Sequence, residues 1–411
     1  MQDIELYNQI LGLKEPWFIQ SVQLRPKERE VLLKVECREQ VWACPHPGCA
    51  RRMHIHQWES LRWRHLDTCQ FQTLIEAPVP RVKCPDHGTV SVAVPWAEKF
   101  SRFTRLFERF AIDVLQECSI KAAAGLLGIS WDEADGIKQR AVARGLERKP
   151  KVLPQRLCVD EKSAARGQTY LTVVAAVDGG QTRVEYVAPG RSQESLDPYW
   201  RQLPPEERAG VQAVAMDMWE PFIQSTQAHV PQAAEKITHD PYHLVAHMNQ
   251  AVNDVRKAEH RELLAEGDET LAGTRNLWLY GQENLPARHR QDFDRVKALN
   301  LRTARAWSLK EVFRTFWHAP TRRTAQEYFD RWYSWAVRSR LGPVKKVARM
   351  CRERLAQILN FFDHRITNGP LEGLNNKLQA LIKKAYGYRN HQRFITDIFF
   401  HCGGLDLYPG Q

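Results

Sequence analysis

Two periodicities divide this chain. Across residues 1–95, apolar and polar positions alternate in short runs such as FQTLIEAPVPRVKC (71–84), the period-two mark of half-buried strands. Residues 96–149 change to helical spacing, and a basic, proline-containing linker, ERKPKVLPQ (147–155), follows. Beyond it RLCVD, TYLTVVAAVDGG, TRVEYVAPG and VQAVAMD read as four strands set off by turn residues. From about 243 to 362 the spacing is helical almost throughout, and residues 363–400 return to mixed character. A helical stretch of that length between two parts of an α/β pattern predicts an insertion within one domain. The pattern therefore predicts an α/β multidomain chain divided at 1–95, 96–150, 151–245, 246–361 and 362–411, with no internal repeat.

Two helical segments carry finer detail. In SIKAAAGLLGISWDEADGIKQRAVARG (119–145), Ala122, Ala123 and Leu126 or Leu127 give a first helix its apolar face, Gly128 breaks it, and Ile129 packs under the turn. Ser130 with Glu133 forms a capping box for a second helix, whose inner face is Ala134, Ile137 and Ala141. This is the spacing of a helix-turn-helix with Lys138, Arg140 and Arg144 free for DNA, though a plain helical hairpin shares most of it. In NGPLEGLNNKLQALIKK (368–384), Pro370 starts a helix buried along Leu371, Leu374, Leu378, Leu381 or Ile382, and Ala385. Glu372, Asn376, Gln379 and Lys383 share another face. Glu372 is either a first-turn acid complementing the helix dipole, worth ~0.3–1 kcal/mol, or a metal ligand beside amides and lysines that meet DNA.

Charge and cysteine content narrow the class. A net charge of +11 over 411 residues points to a polyanionic partner, nucleic acid before an anionic membrane. The longest apolar run, Tyr170 to Val177, is too short to span a bilayer, and MQDIELYNQILGLKE has no signal-peptide character, so a cytoplasmic protein is expected. Nine cysteines, an odd number thinly spread, argue against a disulfide framework. Cys44 and Cys49 in CPHPGC, with Cys84 and His87 in CPDHG, suit a tetrahedral structural zinc site, and His46 competes as a ligand. Small buried thiols and loop histidines need no metal at all. Between the pairs, RRMHIHQWESLRWRHLD interleaves arginine with tryptophan, which offers Arg62 and Arg64 to phosphates or describes a β-ribbon with a solvated basic face.

Two acids end apolar strands: Asp160 after RLCV and Asp217 after VQAVAM. Each alone is an ordinary strand-end aspartate. Close together they repel, and a divalent cation relieves the repulsion. Residues 338–354 hold seven Arg/Lys and a single acid, a solvated face or a contact for DNA or a partner subunit.

The segments WRHLD (63–67), PRVKC (80–84), VDEKS (159–163), MDMW (216–219), HDPYHLVAHMNQAVNDVRK (239–257), NGPLEGLNNKLQALIKKAYGYRN (368–390) and FFHCGG (399–404) occur in the order of the bacterial DDE transposases of the insertion-sequence L-three (ISL-three) family, which the whole chain resembles. The resemblance implies a zinc-binding module, a helix-turn-helix, and a ribonuclease-H-like catalytic core with a large helical insertion. It places the catalytic acids on Asp160, Asp217 and Glu372, holding Mg2+ or Mn2+, with His243 of Asp240-Pro-Tyr-His243 beside them. Lys383, Lys384 and Arg389 follow Glu372 towards DNA. Two departures concern zinc: the first pair has an enlarged gap, and the second ends in His87 where a cysteine is common. The implied partners are transposon-end and target DNA, met as a homodimer at the nucleoid, with no membrane. A domesticated DNA-binding regulator and a ribonuclease-H-like nuclease without strand transfer are the competing readings.

Overall fold

The computed structural model describes residues 3–150, 154–165 and 169–410, so residues 151–153 of the expected linker lie outside the described residues. The chain divides into two compact units: residues 1–150 with 399–401 and 405–411, and residues 151–398 with 402–404. The parts expected as 1–95 and 96–150 therefore share one unit, and the chain's last residues return to it.

In the first unit the alternating segments form β1 (Trp17–Arg25), β2 (Glu30–Cys37), β3 (Val41–Ala43), β4 (Arg52–Thr68), β5 (Phe71–Cys84) and β6 (Gly88–Ser91), in the order β1-β2-β5-β4-β3 with β6 on β5. Alternation puts Leu33, Ile75, Ala77 and Val79 inside, where Trp17 and Trp63 meet Trp96 edge to face at 5.1 and 5.3 Å. From Arg52 onward RRMHIHQWESLRWRHLD lies on β4.

Three capped helices follow, Arg105–Glu117, Ile120–Leu127 and Trp131–Arg148. Gly128 takes the left-handed conformation (φ 63°) between the last two, and Ser130 with Glu133 makes the capping box in both directions. Ala134, Ile137 and Ala141 are fully buried. The first apolar face is rotated by one position from expectation: Ala123, Ala124 and Leu127 are inside, while Ala122 and Leu126 (72% exposed) face out and Ile129 is half-buried.

The second unit is built on β7 (Arg156–Ala165), β8 (Thr169–Asp178), β9 (Gln181–Pro189), β10 (Ala213–Met216) and β11 (Ile237–His239), ordered β9-β8-β7-β10-β11. The first three are an antiparallel meander; β10 and β11 add parallel to β7. Leu157, Val159, Val174, Val214 and Met216 have no or almost no exposure, because helices cover the sheet. Strand order reverses between β7 and β10, and open α/β sheets bind ligands at the carboxyl ends of strands at such a switch point. This is the ribonuclease-H-like core.

The insertion opens with the helix Pro241–Ala265, which begins ahead of the expected boundary at 246, and runs to the helix Leu355–His364. Its own core gathers Trp278, Phe313, Phe316, Phe329 and Trp332. Val344, Val347, Cys351, Leu355 and Ile358 are buried along one side of the last two insertion helices, and Trp335 is 44% exposed. The side chain of Lys310 lies wholly inside, its Nζ donating to the carbonyls of Trp278 (3.0 Å) and Tyr280 (2.7 Å).

Candidate active site and metal centre

Register brings the strand-end acids together. Val159 of β7 pairs with Met216 of β10, and Met216 with His239 of β11, so Asp160, Asp217 and Asp240 are the next residues on three adjacent parallel strands. Asp240 caps the helix Pro241–Ala265, accepting from the Tyr242 N–H at 3.0 Å. One turn into that helix, His243 Nδ1 lies 3.1 Å from Asp217 Oδ2.

The helix Gly369–Lys384 buries Leu371, Leu374, Leu378 and Leu381 and lays its amides on the aspartates. Asn368, at its cap position, donates from Nδ2 to Asp217 Oδ1 at 3.4 Å; Asn375 donates from Nδ2 to Asp160 Oδ2 at 2.8 Å. Lys162 Nζ in turn donates to the Asn375 carbonyl at 3.1 Å. Glu372 stands one turn beyond Asn368 and one turn before Asn375, which puts it on the same helix face between them. It is exposed, and its charge reaches the Asp240 carboxyl, helping to raise it. Neither asparagine nor Asp240 was marked as a site residue by the sequence patterns. The i, i+4, i+7 spacing of Asn368, Glu372 and Asn375 was the available signal.

Burial raises the carboxyls of Asp160 and Asp240. Asp217 is pushed up to about 7, first by burial and then by Asp160, Glu161 and Asp240, with His243 opposing. Buried carboxylates forced towards their neutral form are the donor set that a hard cation repays. The Oδ1 of buried Asn368 has no hydrogen-bond partner among the described residues, so a further hard oxygen is left over beside Asp217. In the chemistry of their donors, hard oxygens driven towards neutrality by burial, these residues suit a divalent cation.

The sulfur and imidazole cluster is tighter. Cys44 and Cys49 lie in the turn between β3 and β4, Cys84 ends β5, and His87 precedes β6, with Gly48 (φ 80°) and Gly88 (φ 69°) shaping the two knuckles. All four ligand atoms fall within 4.8 Å of one another, the one group of three or more His, Cys, Asp or Glu ligands found this close among the described residues; the carboxylates of Asp160, Asp217 and Glu372 do not form such a group. Cys49 Sγ–Cys84 Sγ is 3.9 Å; His87 Nδ1 is 3.5 Å from Cys44 Sγ and 3.4 Å from Cys84 Sγ. Tetrahedral zinc, with Zn–S near 2.3 Å and Zn–N near 2.0–2.1 Å, sets such edges at about 3.5–3.8 Å. Burial raises Cys84, yet N–H groups of Asp86 and His87, the His87 ring and Cys44 outweigh it and bring the thiol down to about 6. The set fits zinc. His46 is not in the cluster: its ring stacks on that of His87 at 4.2 Å.

Several residues expected at DNA are placed elsewhere. Arg64 is buried, ion-paired with Asp67, donating to the His65 carbonyl at 2.7 Å. Arg144 is buried between Glu98 (2.5 Å) and Glu108 (3.1 Å), and Arg140 joins Glu108 at 2.6 Å. Lys138 is buried 4.0 Å from Asp135. These correct the expectation of a free basic face: buried Glu108 requires cations, and the helix supplies its own. Arg62 stays on the surface beside Glu76 (2.9 Å). Lys383 and Arg389 are exposed and Lys384 half-buried, past the Glu372 helix face.

Comparison with known proteins agrees with this layout. A family model described as "Transposase" matches residues 157–398. One described as "zinc-finger of transposase IS204/IS1001/IS1096/IS1165" matches 40–87, and one described as "Helix-turn-helix domain of transposase family ISL3" matches 92–142. The transposase for insertion sequence element IS1557 of Mycobacterium tuberculosis is 28% identical, across 96% of this chain and 95% of its own length. That for IS1001 of Bordetella parapertussis is 25% identical, across 94% and 92%. No helix among the described residues is long and apolar enough to cross a membrane. With the transposase model covering more than half its length, behind a zinc finger and a helix-turn-helix in order, the chain belongs to the ISL3 family of DNA-binding DDE transposases.

Proposed function

We propose that this protein binds the terminal inverted repeats of an insertion sequence, cuts the DNA at the element's ends and joins them to target DNA, with Asp160, Asp217 and Glu372 as the catalytic carboxylates. The observation carrying this reading is the alignment of Asp160 and Asp217 on adjacent parallel strands at the switch point, both hydrogen-bonded to the helix that bears Glu372.

The three acids would hold Mg2+ or Mn2+, which when bound activates water, and later a 3′-hydroxyl, and offsets charge on the phosphodiester. The rest is positioning. Asn375 fixes Asp160 and Asn368 fixes Asp217, while His243 orients the second oxygen of Asp217. Glu372, exposed on the helix face between the two asparagines, would supply the third carboxylate. In cleavage the water oxygen bonds to phosphorus and the 3′-oxygen leaves, taking a proton to become the hydroxyl of the next step. Cys44, Cys49, Cys84 and His87 leave no open position, so zinc there is structural. Arg62, Lys383, Lys384, Arg389 and the basic stretch 338–354 contact DNA, and two ends are held by a homodimer at the nucleoid.

The test is nicking and joining of duplexes carrying the element's ends, with zinc kept in place and Mg2+ supplied or omitted. Wild type cleaves only with Mg2+, and Asp160→Asn, Asp217→Asn and Glu372→Gln each lower the rate by more than about 10³-fold while binding DNA normally. Cleavage by the Asp160→Asn protein excludes the mechanism. Failure to join pre-cut ends reduces the protein to a nuclease.

A further inference from the structure

Around the strand end from the aspartates lies an open cavity of about 340 Å³, lined by Tyr170, Gly190, Arg191, Ser192, Trp219 and Pro221. Three segments bring it to the active site. Tyr170 pairs with Ser163 on the extension of β7 past Asp160; Gly190 (φ 92°) turns the chain out of β9, its N–H donating to the Tyr170 carbonyl at 2.8 Å; Trp219 lies two residues beyond Asp217. The guanidinium of Arg191 is gripped between two rings, its carbon 4.1 Å from the Tyr170 centroid and 4.8 Å from the Trp219 centroid. Trp219 Nε1 donates to the Arg191 carbonyl at 2.7 Å, which fixes the backbone as well.

Arginine stacked in this way is normally spent on a carboxylate. Here its acid partner, Glu161, stands 3.6 Å from Nη1 in a long ion pair that lowers the Glu161 carboxyl against its burial, and no closer carboxylate engages the guanidinium among the described residues. The side chain remains 36% exposed. A flat, immobilised fork engaged on one side by a single long ion pair keeps donors for the oxygen pair of a phosphate. The surroundings also call for it. Asp160, Glu161, Asp217 and Asp240 make this rim acidic, and a DNA strand laid across it needs fixed positive charge beside the catalytic point. Glu161, paired with Arg191, feels the charges of Asp160 and His243 and in turn raises Asp217, so the Arg191 cavity neighbours the acids.

We propose that Arg191, clamped by Tyr170 and Trp219, holds a phosphate flanking the scissile one and so positions the DNA strand for attack. The proposal rests on the reading of Asp160, Asp217 and Glu372 as the cleaving acids. Arg191 is a positioning residue, and no bond is made or broken at it.

The test uses duplexes carrying the element's ends in which single phosphates flanking the cut are replaced by neutral methylphosphonates, cleaved by wild type, Arg191→Ala and Arg191→Lys with Mg2+. Expected is a loss of roughly 10–100-fold in the single-turnover rate of Arg191→Ala, with DNA affinity little changed. One flanking methylphosphonate slows wild type to the same degree and costs Arg191→Ala nothing further. Arg191→Lys, with the charge but not the fork, shows a reduced penalty at that same position, and decides the matter should Arg191→Ala fail to fold. Wild-type rates in Arg191→Ala, or penalties undiminished at every position in either variant, overturn the proposal. The underlying assignment fails separately, by absence of Mg2+-dependent cleavage in wild type itself.

Discussion

Asp160 and Asp217 are each held by one carboxamide, and those two side chains explain how a helix distant in sequence finds the site. The Asn375 bond to Asp160 is short, and the same residue's carbonyl takes Lys162. Removing the carboxamide leaves Asp160 free to rotate away from any cation, and partners of this kind set metal affinity by about 10–100-fold. Asn375→Ala is therefore expected to raise the Mg2+ concentration for half-maximal cleavage by that factor, with the rate recovering at high Mg2+. A rate loss that no Mg2+ concentration restores would assign Asn375 to DNA instead. The aspartates were legible because a charge ending a run such as VQAVAM is conspicuous. The asparagines were not, since a polar residue on a helix face gains meaning only from what the fold sets opposite it.

The helices of the first unit show where periodicity stops informing. Spacing separates two sides of the helix Trp131–Arg148 and finds its capping box, but not which basic residues meet acids supplied from elsewhere. Glu98 and Glu108 lie 46 and 36 residues before Arg144. Truncating one partner of a buried ion pair costs about 3–5 kcal/mol through the charge left behind. Arg144→Ala is expected to lose about that much stability in denaturant melts, with the salt dependence of DNA binding unchanged. A flatter salt dependence at unchanged stability would return Arg144 to the DNA face. His65 makes a second test of the same unit. It is buried, its Nδ1 2.9 Å from the Thr104 hydroxyl that caps the helix Arg105–Glu117. Burial first, and Arg64 second, lower it from 6.5 to about 4. With a depressed folded value, its contribution is complete above pH 6.5 and is lost as pH falls through 4. The loss is at most about 3 kcal/mol. His65→Gln carries no such titration, so the stability gap between wild type and variant is flat above pH 6.5 and changes as pH falls from 6.5 to about 4. A gap independent of pH would show His65 to be ordinary packing.

Across the molecule, the net charge of +11 is a poor guide to the DNA-binding surface, because basic residues expected at DNA are engaged by carboxylates within the fold: Arg64, Arg140 and Arg144. The insertion differs. Its buried stripe from Val344 to Cys351 turns the basic residues of the helix Gly342–Glu353 outward, and Arg340, Lys345, Lys346 and Arg349 line an open cavity of about 530 Å³ with Glu353 as the acid beside them. No ion pair engages these four among the described residues, whereas Arg352 and Arg354 are paired with Asp330 and Glu220. Unpaired cations at one helical face have counterions to release on a phosphate backbone, and each phosphate contact steepens the fall of log K with log salt by about 0.9. Replacing Lys345, Lys346 and Arg349 together by glutamate is expected to flatten that slope by about 2–3 for end-bearing duplexes, and to weaken binding alike for unrelated sequences. Cleavage at saturating protein persists, since the carboxylates and their asparagines are untouched. An unchanged slope would leave this face solvated. An unchanged slope together with lost pairing of ends would make it the contact between subunits.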